Sequence, residues 1–125
     1  MINKSILKEC HKEGFDEKEL YESYKIFLGT LVSESRLKII NLLRKGRKNV
    51  SEIMSEFEMD QTAVSHDLAR LKKCGFVLVD IDGKYRYYSL NRETIAPLMA
   101  LIEKHMNNYC IHILHNMKGG LQHEK

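Results

Sequence analysis

Apolar positions along this chain recur first at helical spacing and then, for a short stretch, at every second residue. Residues 3–13 predict a short helix that Gly14 breaks. Glu17 to Leu31 predicts a longer one, capped by Asp16, with Leu20, Tyr24, Phe27, Leu28 and Leu31 on one face. Ser33 opens a third helix from Glu34 to about Lys45, where Gly46 stops it. Its wide face of Leu37, Ile39, Ile40, Leu42 and Leu43 suits the centre of a core. Asn49 followed by Glu52 reads as a capping box for a short helix whose Ile53, Met54 and Phe57 point inward. Glu58-Met59 then turns the chain into Asp60, which starts a helix that Gly75 ends. Val64, Leu68 and Leu71 form its single narrow stripe. At about 100° per residue, Thr62, His66, Ala69, Arg70 and Lys73 project from the opposite side, with Ser65 at the margin. Two helices joined by three or four residues have helix-turn-helix spacing. The second has a small, hydrogen-bonding, cationic face of the kind that fits a DNA major groove.

After Gly75 the period changes. Phe76–Ile81 and Lys84–Leu90 are rich in β-branched and aromatic residues, and Asp82-Gly83 between them signals a hairpin. Directly after a helix-turn-helix such a hairpin is a wing. Lys84 and Arg86 at its tip could reach phosphates, whereas Asp80 and Asp82 would oppose them. Thr94 is the expected cap of a last helix that takes Pro97 in its first turn. Ile95, Leu98, Ile102, Met106, Tyr109, Ile113 and Met117 form a seam longer than one small core can cover. Packing against a second copy, helped by the first helix, would bury it, with Ile102, Met106, Tyr109 and Ile113 at the interface.

Composition narrows the class. A chain of 125 residues, 43% hydrophobic and 30% charged, suits one globular domain. No apolar run approaches the ~20 residues of a membrane span, and no secretory signal is visible, so a cytoplasmic address and no membrane partner are expected. Cys10, Cys74 and Cys110 are too scattered for a disulfide scaffold, and their roles stay open. The net charge is only +3, but residues 34–92 hold 12 Lys and Arg against 8 Asp and Glu, while the flanks are balanced or slightly acidic. That excess around the cationic helix suits a polyanion. A glycine-rich phosphate loop, a carboxylate pair in a plausible cleft and a Ser/His/Asp arrangement are all missing, which argues against an enzyme.

Residues 31–90 resemble the winged-helix repressors of the ArsR/SmtB type. The matching pieces are Ser35-Arg36-Leu37, Gln61 through Leu68, Leu71, Gly75-Phe76-Val77, Gly83-Lys84 and Tyr87 through Leu90. The resemblance implies a mainly α winged helix-turn-helix with a small β-hairpin wing, dimerising through its terminal helices. Residues 1–32 would be an N-terminal arm, 33–90 the helix-turn-helix plus wing, and 91–125 the dimerisation helix, together one domain. It further implies a homodimeric repressor of a double-stranded DNA operator, released by a small inducer, often a metal ion. Carried over by position, Gln61, Thr62, Ser65 and His66 would read bases or adjacent phosphates, and Arg70, Lys73, Lys84 and Arg86 would hold the backbone. A protein-interaction module and a thiol redox sensor are the alternatives.

The family's metal positions are poorly kept. Its early zinc pair falls here on Arg92 and Thr94, its later pair on His105 and Asn108, and Asn49-Val50-Ser51-Glu52 replaces its cysteine pair. A displaced site is left as the candidate. His112 and His115, three apart, share one helix face. His105, ~10 Å away along the axis, would join them from an antiparallel partner, with Cys10-His11 as further donors. Zinc is the cofactor such a set would take.

Overall fold

The computed structural model describes residues 3–112 and 115–117. Its elements run α1 (Lys4–Lys12), α2 (Glu17–Leu31), α3 (Glu34–Leu43), β1 (Lys48–Asn49), α4 (Val50–Phe57), α5 (Gln61–Lys73), β2 (Val77–Asp82), β3 (Tyr85–Leu90) and α6 (Ile95–His105). A π-helical turn, Met106–Cys110, extends α6.

Side chains that accept first-turn amides set most of the helix starts. Asp16 with Glu19, and Asn49 with Glu52, close reciprocal capping boxes. Ser33 accepts from the Arg36 amide at 3.3 Å and Asp60 from that of Ala63 at 2.7 Å. The last helix departs from expectation. Thr94 makes no side-chain cap; instead Asn91 Oδ1 takes the amides of Glu93 and Thr94 at 3.1 and 3.3 Å. Asn91 is itself held to the exit of α5, its Nδ2 donating to the Gly75 carbonyl. Helix α3 also stops short of Lys45. Arg92 Nη2 donates to the carbonyls of Leu43 and Arg44, which closes its end.

The sheet has one strand more than the sequence predicts. Lys48 and Asn49 pair antiparallel with Tyr88 and Tyr87, giving the order β1-β3-β2. Two residues have no periodicity to read, so only their partner makes them a strand. In the wing Asp82 pairs with Tyr85, and the two-residue turn is therefore Gly83-Lys84, one position beyond Asp82-Gly83. Gly83, with φ +64°, takes the first central position of a turn that needs a left-handed residue there.

Ile39, Ile40, Leu43, Ile53, Val64, Leu68, Leu71 and Phe76 are fully buried and form one core with Val77 and Leu90. Phe27 of α2 stacks on Phe76 at 5.0 Å. The rest of α2 docks less deeply than its stripe predicts, since Leu20 is buried but Tyr24 and Leu28 are exposed. Helix α5 ends in a Schellman motif, with Phe76 N–H bonded to the Leu71 carbonyl and Gly75 N–H to that of Lys72. Gly75 there has φ +77°. The architecture is a mainly helical winged helix-turn-helix, with α4 and α5 joined through Glu58 in the left-handed conformation.

Candidate nucleic-acid interface

Helix α5 is held from behind by more than its apolar stripe. Asp67 lies on its inner side, nearly buried, and accepts from Ser35 Oγ at 2.6 Å and from Arg36 Nη1 at 3.3 Å. Arg36 continues to the end of α2, donating to the carbonyls of Thr30 at 2.8 Å and Gly29 at 3.3 Å. One carboxylate thus joins α2, α3 and α5. Its burial is compensated because each partner completes its hydrogen bonds.

With the inner side fixed, Gln61, Thr62, Ser65, His66 and Lys73 are all exposed on the outer side, together with Ala69 and Lys72. Lys72 is not among the residues that the sequence pattern singles out, yet at about 100° per residue it falls on the same margin as Ser65. Arg70 departs from its expected place. Its Nε donates to Thr30 Oγ1 at 3.0 Å and its Nη2 to the Ile26 carbonyl at 3.4 Å. It lies about 80° round the helix from Thr62, on the side where α2 packs. The guanidinium therefore serves the end of α2 rather than the outer face.

The wing resolves the conflict between its charges. Directly paired residues share a sheet face, so Asp80, Asp82, Tyr85 and Tyr87 lie on one face and Ile81 with Arg86 on the other. Arg47 spans the acidic face. Its guanidinium meets Asp80 at 3.2 Å and Asp82 at 3.1 Å, and stacks over the Tyr87 ring at 4.2 Å. The two carboxylates are matched there, while Arg86 on the other face and Lys84 at the tip stay exposed. Arg47, 33 residues upstream of Asp80, gave no sequence signal for this role.

The interface candidates on α6 divide. Ile102 is half-buried against its own core, whereas Met106 and Tyr109 are exposed; Ile113 lies outside the described residues. The π-helical turn also changes the histidine geometry. A π-bulge absorbs about one extra residue and so rotates the downstream helix by about 100° relative to an unbroken α-helix. His105 therefore leaves the face expected to contain His112 and His115, and its ring meets that of Tyr109 at a tilt, 4.9 Å between centroids. Among the described residues no three His, Cys, Asp or Glu side chains gather to hold a metal. At the position of the family's early zinc pair, which this sequence does not keep, Arg92 caps α3.

Residues 33–78 match the model of the bacterial regulatory proteins of the arsR family. The HTH-type transcriptional regulator NmtR of Mycobacterium tuberculosis is 38% identical over 72 residues, 58% of this chain and 60% of that one. A probable mercury resistance operon repressor of Streptomyces lividans is 31% identical over 75 residues, 60% of each chain. The match thus spans less than two thirds of the length of either relative. A fragment (residues 1–100) of a Mycobacterium bovis protein is described as the homodimeric winged helix-turn-helix DNA-binding domain of a possible ArsR-family regulator. It superposes with a TM-score of 0.69 at 28% identity, over 74% of this chain and 86% of that one. Its crystal structure gives 0.63 at 30% identity, over 70% and 95%.

Proposed function

The chain belongs to the arsR family of bacterial regulatory proteins, and on that premise we propose that it is a homodimeric, sequence-specific DNA-binding transcriptional repressor acting in the cytoplasm. Its work is binding rather than catalysis, and residues 1–125 form one functional unit. The observation that supports this best is the outer face of α5. That face is small, polar and cationic, on a helix whose inner face is fixed by three fully buried aliphatic side chains and the Asp67 network. Gln61, Thr62, Ser65 and His66 are assigned to base edges and nearby phosphates. Lys73, Lys72, Lys84 and Arg86 are assigned to phosphates.

Exposed apolar side chains on the terminal helices supply the dimer surface. Leu101, Tyr109 and Met117 are 63, 66 and 58% exposed in the isolated chain, and Tyr21, Tyr24 and Leu28 of α2 add to them. Exposed apolar side chains of this kind favour burial against a second copy.

The named role of the Streptomyces relative in mercury resistance keeps a metal ion among the inducers to test. A zinc ion on His112 and His115 would have to draw further donors, His105 included, from the partner protomer.

The test is titration of the purified protein into the DNA upstream of its own gene at several salt concentrations, with and without zinc. Specific binding with a steep negative salt slope is expected. Equal affinity for that DNA and for unrelated duplexes would overturn the reading.

A further inference from the structure

A cavity of about 440 Å³ lies between α2 and the end of α5, lined by Ser23, Ile26, Phe27, Arg70, Lys73 and Cys74. Its volume falls in the range of small-molecule sites, roughly 300–1,000 Å³. Ile26, the Phe27 ring and the Cys74 thiol supply apolar walls, and Arg70 and Lys73 supply two positive charges. No carboxylate lines it, and among the described residues neither cation is within ion-pair distance of one. Thr30 anchors the adjoining surface, its buried hydroxyl meeting Arg70 Nε at 3.0 Å and Cys74 Sγ at 3.3 Å. The negative pole of α5 is nearby and opposes an anion. It amounts to about half a charge, against two full positive ones, and the Schellman bonds already satisfy the carbonyls of Leu71 and Lys72.

We propose that this cavity binds a small amphipathic anion, an alkyl or aryl carboxylate whose tail lies on Ile26 and Phe27 and whose head meets Lys73 and Arg70. Occupation opposes DNA binding, a consequence that rests on the reading of α5 given above. Lys73 is shared, since an ammonium paired with a ligand carboxylate is withdrawn from phosphate. The ligand also bridges α2 and α5, so any shift of α5 needed to seat it in the groove disturbs the bound pose. Coupling of this kind is reciprocal.

The probe is decanoate, titrated calorimetrically into the reduced full-length protein, with decylammonium as the charge-reversed control. One decanoate per chain is expected, binding at least about tenfold tighter than decylammonium. Lys73→Ala should weaken decanoate about tenfold, the usual scale for one charge-assisted contact. Ser23→Trp, on an exposed position of α2, should fill the cavity and abolish decanoate binding while circular dichroism stays as in the wild type. Decanoate should lower affinity for the promoter DNA, and DNA should lower affinity for decanoate by the same factor. Equal decanoate binding by wild type, Lys73→Ala and Ser23→Trp would overturn the site, as would decylammonium binding as tightly as decanoate. DNA binding without saturable decanoate binding refutes the cavity and leaves the repressor reading standing. Saturable decanoate binding by a protein that ignores DNA does the reverse.

Discussion

At the scale of single residues, Arg70 and Lys73 show how two cations on one helix come to do different work. Arg70 is engaged by Thr30 and the Ile26 carbonyl, and Lys73 is exposed. Lys73→Ala should therefore reduce the slope of log affinity against log salt by about 0.9, whereas Arg70→Ala should leave the slope alone and lower the unfolding midpoint. Equal slope changes in the two variants would show that Arg70 reaches DNA. Asp67 is the other decisive residue. Asp67→Ala strands Arg36, whose side chain is only 16% exposed. It should cost about 3 kcal/mol in urea unfolding; a loss below about 1 kcal/mol would mean that the pair behaves as a surface contact. Nothing in the sequence distinguishes Asp67 from an ordinary solvated helix residue, because its partners lie 31 and 32 positions away.

At the scale of elements, the stripe of α5 was legible and its consequence can be measured. Leu68 is fully buried, so Leu68→Ala should cost roughly 2–5 kcal/mol through the cavity it leaves, read from the shift in denaturant midpoint. The contact between α3 and α6 has a pH signature. Arg44 Nη1 donates to Glu103 Oε2 at 2.7 Å, and this hydrogen bond holds the Glu103 carboxyl below its ordinary value of 4.5, with partial burial opposing and the charge of Arg44 assisting. A carboxyl depressed in the folded state stabilises it above the ordinary pKa, and that contribution is lost as pH falls through the folded value. Glu103→Gln should accordingly flatten the fall in stability below pH 4.5, and by less than about 1 kcal/mol because half of the Glu103 side chain is exposed. An unchanged acid limb would show that the pair is not formed in solution. The π-helical turn lies at this scale too. Seven apolar positions at helical spacing predict an unbroken seam, and composition holds no clue that Met106–Cys110 widens it.

For the whole molecule, the proposed dimer would cover exposed apolar side chains of α2 and α6. Tyr109→Asp places a charge on that surface without touching the core, since Tyr109 is 66% exposed. Sedimentation should show the variant shifted towards monomer and its DNA affinity lowered, because two half-sites no longer act together. Retention of the wild-type sedimentation coefficient would place the interface elsewhere.

The caps at Asp16, Ser33, Asn49 and Asp60, the stop at Gly75 and the stripe Val64-Leu68-Leu71 are written in the sequence, as is the existence of a wing. Each is a relation between residues a few positions apart, where backbone geometry alone fixes who can meet whom. Tertiary packing decided the rest: that Lys48-Asn49 is a strand, that Arg47 matches the wing's two carboxylates, and that Arg70 faces α2. A long charged side chain at the margin of a helix has several directions open to it, and the neighbouring element chooses among them. That neighbour arrives from a distant part of the chain, beyond the reach of any local pattern.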